Sequence, residues 1–215
     1  MRTRFVALSL FAFLLLTIPS RADSVVYNTF GPGLTTDSLY GKLVDIGGSF
    51  LGTPFSPSTT VDLTSLTGSW DSGKFTGPQP PARTITISLW TDLNSHPGTE
   101  LESWPLLVTG TLANYTLTSS LHPLLSSSDT YWVLEFFIGG GPGDTIEWGR
   151  SSTAPAGGIW SGDSPTSLTP GFLTLPLAAV QVEGTPVSEP DSLTLLGVSV
   201  LGFCVLLQKG LGRCL

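Results

Sequence analysis

The feature that most constrains the fold is a series of short apolar segments, each ended by glycine, proline or serine. In residues 83–90, apolar and hydroxyl side chains alternate strictly, with Ile85, Ile87 and Leu89 on one face. This period of two indicates a β-strand with one buried face. Residues 23–184, called the body below, contain no sustained helical spacing. Many short strands separated by turn residues predict an all-β sandwich or jelly roll.

The remaining segments of the body give the same reading. Residues 92–98 combine Asp, Asn and Pro-Gly and predict a turn. Residues 68–74 nearly match a phosphate loop, but Phe75 stands where a Mg²⁺-binding Ser or Thr belongs, so we interpret them as a turn. The other predicted strands are 25–30, 43–46, 60–66, 109–117, 130–138, 145–148 and 172–182.

The first 22 residues are typical of an export signal. Arg2 and Arg4 precede an uncharged apolar run from 5 to 18, which is short for a membrane span. Small residues before Asp23 predict cleavage between Ala22 and Asp23. We therefore expect the secretion translocon and signal peptidase as partners and an exported body.

Residues 192–215 form an apolar segment followed by cationic residues. The stretch 192–207 contains no charged residue. As a helix it would span about 24 Å, whereas the hydrocarbon core of a bilayer is about 30 Å thick. Lys209 and Arg213 follow it, which places the tail in the cytoplasm and the body outside. The sequence predicts a single short transmembrane helix, joined to the body by a linker at 185–191.

The motif Ser188-Glu189-Pro190, the apolar helix and the basic residues Lys209 and Arg213 resemble the PEP-CTERM signal of exported Gram-negative proteins. The first proline of that motif is absent. The resemblance implies that an exosortase-like enzyme recognises and cuts the tail. A permanent short C-terminal anchor is the alternative.

The charge and the cysteines limit what the body can do. Residues 23–191 contain four Lys and Arg against sixteen Asp and Glu, a formal charge of −12. Such a surface repels phosphate backbones and disfavours nucleic acid as a partner. Both cysteines, Cys204 and Cys214, lie in the tail, so no disulfide braces the body. It must be stabilised by burial, and its length allows one sizeable core.

Four motifs in order resemble the choice-of-anchor (type R) domains of exported bacterial proteins. They are residues 27–33 (YNTFGPG), 53–55 (TPF), 87–92 (ISLWTD) with Pro97-Gly98 and 101–103, and 131–133 (YWV). The likeness covers most of residues 25–183. It implies a β-sandwich ectodomain at the cell surface or in the matrix and supplies no catalytic residues.

The body offers few residues for catalysis or metal binding. His96 and His122 each precede a proline in a loop and have no second ligand at zinc spacing. Glu100 and Glu102 are a candidate glycosidase pair, although catalytic carboxylates usually come from different strands. Asp144 is a candidate Ca²⁺ contact together with Glu147. We expect no catalytic residue, no bound metal and no cofactor.

The aromatic residues raise a second hypothesis. All six tryptophans lie in the body, and Trp104, Trp148 and Trp160 lie near turns, where they are candidates for stacking on sugar rings. Packing in a core without disulfides is the alternative for each of them. The sequence thus predicts a non-enzymatic protein of the cell envelope or extracellular matrix. The alternatives are a carbohydrate-binding module in the envelope or exopolysaccharide and, third, a secreted glycan hydrolase.

Overall fold

The computed structural model describes residues 22–43, 49–74, 82–137, 144–157, 159–170 and 176–187. Within these ranges the chain forms thirteen strands and one short 3-10 helix, η1 (Pro165–Ser167). The strands are β1 (Ser24–Asn28), β2 (Ser38–Leu43), β3 (Ser49–Phe55), β4 (Val61–Lys74), β5 (Arg83–Asp92), β6 (Pro97–Val108), β7 (Ala113–Thr118), β8 (Leu124–Leu125), β9 (Tyr131–Phe137), β10 (Asp144–Arg150), β11 (Trp160–Gly162), β12 (Thr169–Pro170) and β13 (Val180–Pro186).

The strands form two antiparallel sheets that pack as a β-sandwich. The seven-stranded sheet has the order β1-β13-β4-β10-β2, and β7 and β8 also pair with β4. The six-stranded sheet has the order β12-β11-β3-β9-β5-β6. Residues of both sheets meet in one buried apolar cluster between them. The predicted all-β, two-sheet architecture is therefore confirmed.

The core follows the alternation that the sequence shows. Ile85, Ile87 and Leu89 of β5 are at most 1% exposed and face the opposite sheet. Val133 of β9 is fully buried in the same cluster, as is Trp70 of β4. Each fully buried aliphatic side chain contributes about 1.5–3 kcal/mol of transfer free energy. Burial of this kind stabilises a body that has no cysteine.

Strand β4 is longer than the sequence suggested. The predicted turn at 68–74 is wrong, because these residues continue β4 and pair with β7 and β10. A Cβ on Gly68 would overlap the indole of Trp70. The glycine here accommodates a tryptophan ring and does not reverse the chain.

A bulge in β4 changes which residues it buries. Leu63 pairs with Gly184 and Ser65 with Glu183, so Thr64 is an extra residue in the ladder. The inward positions therefore shift from Val61 and Leu63 to Leu66 and Trp70. Simple alternation fails here because the period of two restarts at the bulge.

The hairpin between β5 and β6 contains a strand, β6, that is not among the predicted strands. The predicted turn forms at 93–96, where Leu93 N and His96 N each bond the other residue's carbonyl. Strand β6 starts immediately afterwards at Pro97, and of the predicted strand 109–117 only residues 113–117 belong to a strand, β7. Strand β13 ends at Pro186, two residues into the predicted linker.

Both described ends of the body lie at one end of the sandwich, which we call the terminal pole. Ser24 pairs with Gly184 at the start of β1, and Thr185 Oγ1 donates to Asp23 Oδ1 at 2.7 Å. Pro186 pairs with Val61, where β4 begins. Residues 1–21 of the predicted signal peptide lie outside the described residues, as do the predicted transmembrane helix and basic tail. No helix within the described ranges is long and apolar enough to span a bilayer.

Candidate functional site

A cleft of about 350 Å³ opens at the terminal pole, where β5 ends and β9 begins. Asp92 N donates to Thr130 O at 3.1 Å and holds the two strand ends together. Every residue of the lining carries a carboxyl or hydroxyl group. The lining comprises Thr91, Asp92, Ser128, Asp129, Thr130 and Tyr131.

The loop before β9 shapes one side of this cleft. Ser126 N donates to Tyr131 Oη at 2.8 Å, and Ser127 N donates to Thr60 Oγ1 at 3.2 Å. Burial raises the pKa of Tyr131, the bond from Ser126 opposes this effect, and the charge of Asp129 adds to it. The phenol is therefore neutral at neutral pH and acts as an acceptor that fixes the loop.

The two carboxylates of the cleft differ in their surroundings. Asp92 accepts from Trp132 Nε1 at 2.7 Å through one oxygen and from Ser95 N at 3.1 Å through the other. Asp129 is exposed, and its Oδ1 accepts a longer bond of 3.2 Å from Ser128 Oγ. Asp92 is therefore anchored by the fold, whereas Asp129 presents its charge to solvent and to any ligand in the cleft.

The outer face of the six-stranded sheet carries an aromatic patch beside this cleft. The patch consists of Phe50, Trp90, His96, Trp132, Phe136 and Trp160. Trp132 is 1% exposed and meets Trp160 edge to face at 5.3 Å. Trp160 also meets His96 edge to face at 5.8 Å. Trp90 and Trp160 are partly exposed. The hydrogen bond from Trp132 to Asp92 joins patch and cleft.

The segment after β11 fixes the position of Trp160. Leu168, at the end of η1, is 1% exposed and packs with Trp132 and Leu134 on the outer face. A Cβ on Gly52 would lie 3.0 Å from Leu168, so the missing side chain leaves room for this contact. Trp160 pairs with Gly52 on the neighbouring strand. The ring is therefore held by the sheet edge and by its aromatic neighbours.

Of the three tryptophans proposed for stacking, the structure places only Trp160 in this patch. Trp148 is fully buried and donates to Ala179 O at 3.1 Å. Trp104 is 9% exposed and donates to Thr118 O at 3.0 Å. Both rings pack in the core, where a ligand cannot stack on them. Trp90 and Trp132 also belong to the patch but are not among the three predicted residues. Trp90 precedes the predicted turn at 92–98, and Trp132 lies in the predicted strand 130–138.

The structure describes only some of the residues predicted to be recognised or cut during export and sorting. Ala22 and Asp23, the predicted cleavage pair, are exposed just before β1. Ser188, Glu189 and Pro190 of the sorting motif lie outside the described residues, as do Lys209 and Arg213 of the basic tail.

The two residues of the candidate glycosidase pair, Glu100 and Glu102, lie in different environments, one exposed and one buried. Glu102 is 5% exposed and accepts from Ser119 Oγ at 2.6 Å and from Ser120 N at 2.7 Å. Leu121 N adds a third donor residue at 3.3 Å. Burial alone would raise the pKa of Glu102, but these hydrogen bonds outweigh it and lower the pKa. Glu102 thus holds the loop after β7, while Glu100 is exposed.

The two candidate Ca²⁺ residues, Asp144 and Glu147, are three positions apart on β10. Glu147 lies directly opposite Asp71 on β4, whereas Asp144 pairs with Lys74. Burial raises the pKa of Asp71 and of Glu147, and the Asp71 charge raises that of Glu147 further. Among the described residues, no three His, Cys, Asp or Glu side chains form a metal-binding group.

No family model matches the sequence, and no curated protein matches it. Among solved structures, the chain is similar to the clostridial cysteine protease Cwp84 after propeptide cleavage, with 9% identity and a TM-score of 0.49 over 77% of this chain and 40% of that one. A structure of the cysteine protease and lectin-like domains of Cwp84, from Clostridium difficile, gives 9% identity and a TM-score of 0.44 over 68% and 36%. The infectious bursal disease virus Gt strain gives 14% and 0.28 over 77% and 37%. The chain spans less than half the length of these structures.

Proposed function

We propose that this protein is an exported, non-enzymatic β-sandwich of the cell surface or extracellular matrix that binds glycans at the terminal pole. The observation that carries the proposal is the hydrogen bond between Trp132 and Asp92, which places an aromatic patch against a polar cleft. Glycans present both an apolar ring face and several hydroxyl groups, so a site for them needs both kinds of surface.

The aromatic patch and the polar cleft would bind different parts of a sugar, the ring face and the hydroxyl groups. Trp90 and Trp160 are partly exposed aromatic rings on a rigid sheet, and a sugar ring can stack on such a surface with little loss of side-chain entropy. The hydroxyl and carboxyl groups of the cleft can bond sugar hydroxyls. A stacked ring on the patch would place its edge near Asp92.

A binding role accounts for the carboxylates better than hydrolysis does. Glu102 receives several protein hydrogen bonds within a buried loop contact, and Glu100 projects from the neighbouring strand position into solvent. A glycosidase needs two carboxyl groups facing one sugar from opposite sides of a cleft. The hydrolase hypothesis would therefore need residues other than this pair.

Delivery by the two ends of the chain is the second part of the proposal. A signal peptide would be removed before Asp23, and the helix at 192–207 would insert into the membrane. An exosortase-like enzyme would recognise the motif at 188–190 and cut the tail. Asp23 and Val187, which flank β1 and β13, both belong to the terminal pole. A single anchor at that pole would leave the opposite end of the sandwich directed away from the bilayer.

Mass spectrometry of the protein from its native envelope tests delivery. A mature N-terminus at Asp23 and a C-terminus between Ser188 and Asp191 are expected for export and sorting. A C-terminus at Leu215 would indicate a plain anchor. Full-length protein recovered from the cytosol with Met1 intact would contradict export.

A glycan array with the full-length protein in detergent tests binding. We expect selective binding that falls about tenfold on Trp160→Ala, because an aromatic contact contributes about 0.5–1.5 kcal/mol beyond its buried area. Leu107→Ala is the matched control, since Leu107 is 59% exposed near the far end of β6 and touches neither patch nor cleft. Thermal unfolding of both variants checks that they are folded. Equal glycan binding by wild type and Trp160→Ala would refute the site.

A further inference from the structure

We infer that the cleft selects glycans bearing cationic amino groups, such as polymers of de-N-acetylated amino sugars. This inference rests on the proposed function and specifies its ligand. The distribution of charge around the cleft carries it, together with the hydroxyl groups and rings that adjoin the two carboxylates.

The cleft itself is anionic. Asp92 and Asp129 are two of its six lining residues, and the other four carry hydroxyl groups. Asp129 is the exposed member, with only a 3.2 Å bond from Ser128 to its Oδ1. An ammonium group donates up to three hydrogen bonds and has no acceptor, so it suits a carboxylate flanked by hydroxyl oxygens.

The surrounding surface reinforces this potential. Asp23 lies just before β1 at the terminal pole, and Asp62 lies one residue into β4 at the same pole. Glu100 pairs with Trp90, next to the patch. All three side chains are exposed. Because their charges have one sign, they attract cationic ligands and repel uronate or sulfate groups.

Two of the four cationic residues of the body, Arg83 and Lys74, lie on strand positions far from the cleft. Arg83 begins β5, nine residues or about 30 Å along the strand from Asp92. The backbone of Lys74 pairs with Asp144, at the end of β4 opposite to the terminal pole. At physiological ionic strength the screening length is about 8 Å, so a cation 30 Å away barely offsets the cleft carboxylates.

The arrangement fits an amino sugar better than a bare metal ion. Both oxygens of Asp92 already accept hydrogen bonds from Trp132 and Ser95. A divalent cation would need several further oxygen ligands. An amino sugar needs a single exposed carboxylate, which Asp129 supplies, with hydroxyl partners at Ser128 and a ring surface at the patch.

Calorimetric titration of the full-length protein in detergent tests the inference with three hexasaccharides: glucosamine, N-acetylglucosamine and a uronic acid. We expect the glucosamine oligomer to bind tightest, the uronic acid oligomer to bind weakest, and the first affinity to fall between 50 and 300 mM salt. Equal affinity for the first two oligomers, independent of salt, would overturn the amino-sugar inference while leaving glycan binding intact. No binding of any oligomer would overturn the proposed function as well.

A charge-removing variant locates the effect. Asp129→Asn should weaken binding of the glucosamine oligomer about two- to fivefold, which corresponds to an exposed ion pair, and leave the N-acetylated oligomer unchanged. Asp163→Asn removes an equal charge at an exposed position outside the lining and serves as the control. An equal effect of both variants, or an equal effect of Asp129→Asn on both oligomers, would refute a specific contact with the amino group.

Discussion

The carboxylate of Asp92 accepts a hydrogen bond of 2.7 Å from the indole nitrogen of Trp132, which lies on the neighbouring strand. Trp132 is 1% exposed, so its N–H would be costly to leave without a partner. The same carboxylate bonds Ser95 N and thereby closes the β5–β6 turn. One side chain thus fixes the patch, the turn and the cleft.

Replacing Asp92 by alanine should therefore destabilise the fold. We expect the free energy of unfolding to fall by about 1–3 kcal/mol, because a buried indole N–H loses its acceptor. Chemical denaturation followed by tryptophan fluorescence measures this change. Asp163→Ala, at an exposed turn position, should leave stability within about 0.5 kcal/mol of wild type. An Asp92→Ala variant as stable as that control would contradict the anchoring role.

Glu102→Gln should destabilise the fold in a pH-dependent way. Glutamine has one oxygen in place of the two that accept from Ser119 and Ser120, so we expect a loss of about 1–3 kcal/mol at neutral pH. The folded-state pKa of Glu102 lies below its usual value of 4.5, so wild-type protein loses this contribution as the pH falls below 4.5 through the lowered pKa. Unfolding curves at several pH values should converge for wild type and variant in acid. Glu100→Gln, an exposed neighbour, should show no such convergence.

Asp71→Asn should stabilise the protein at neutral pH. Asp71 and Glu147 are directly opposite on neighbouring strands, and like charges so placed are destabilising by about 0.2–1 kcal/mol. Because the pKa of both carboxyls is raised in the folded state, their ionisation costs stability above those values. The gain should vanish as the pH falls below the usual acid pKa values. Thermal unfolding at pH 7 and in acid measures it, and Asp62→Asn, exposed on the same strand, should give no gain at pH 7.

Gly68→Ala should destabilise the core by about 1–3 kcal/mol, because the added methyl group would overlap the indole of Trp70. The same substitution in a Trp70→Phe background should cost less, since phenylalanine lacks the second ring of the indole. A double-mutant cycle from denaturation curves measures this coupling. Additive effects of the two substitutions would show that the ring contact does not determine the requirement for glycine.

Alternating or continuous apolar residues in the sequence predicted two of the core strands, β5 and β9. The alternation at 83–90 predicted β5, because its period of two follows the sandwich interior. The apolar run at 130–138 predicted β9, which is buried on both faces. The predicted strand 60–66 covers only the first part of β4, because Gly68 and Gly73 resemble turn residues. Only the position of Trp70 reveals what Gly68 accommodates.

The sequence predicted fewer of the residues in the candidate site than of those in the core strands. Proximity to turns predicted three stacking residues, Trp104, Trp148 and Trp160. The structure buries Trp104 and Trp148 in the core. Proximity to a turn does not state on which face of a sheet a ring lies. Asp92 belonged to a predicted turn, but its bond to Trp132 joins residues forty positions apart.

The sequence by itself determined the all-β class and the acidic, cysteine-free character of the body, because alternation and composition are local properties. It did not determine which tryptophans are buried or that Asp92 and Asp129 share a cleft. Those features depend on strand register, on the bulge at Thr64 and on the packing of two sheets. Register joins residues distant in the chain, and a shift of one residue would exchange the buried and exposed faces of a strand.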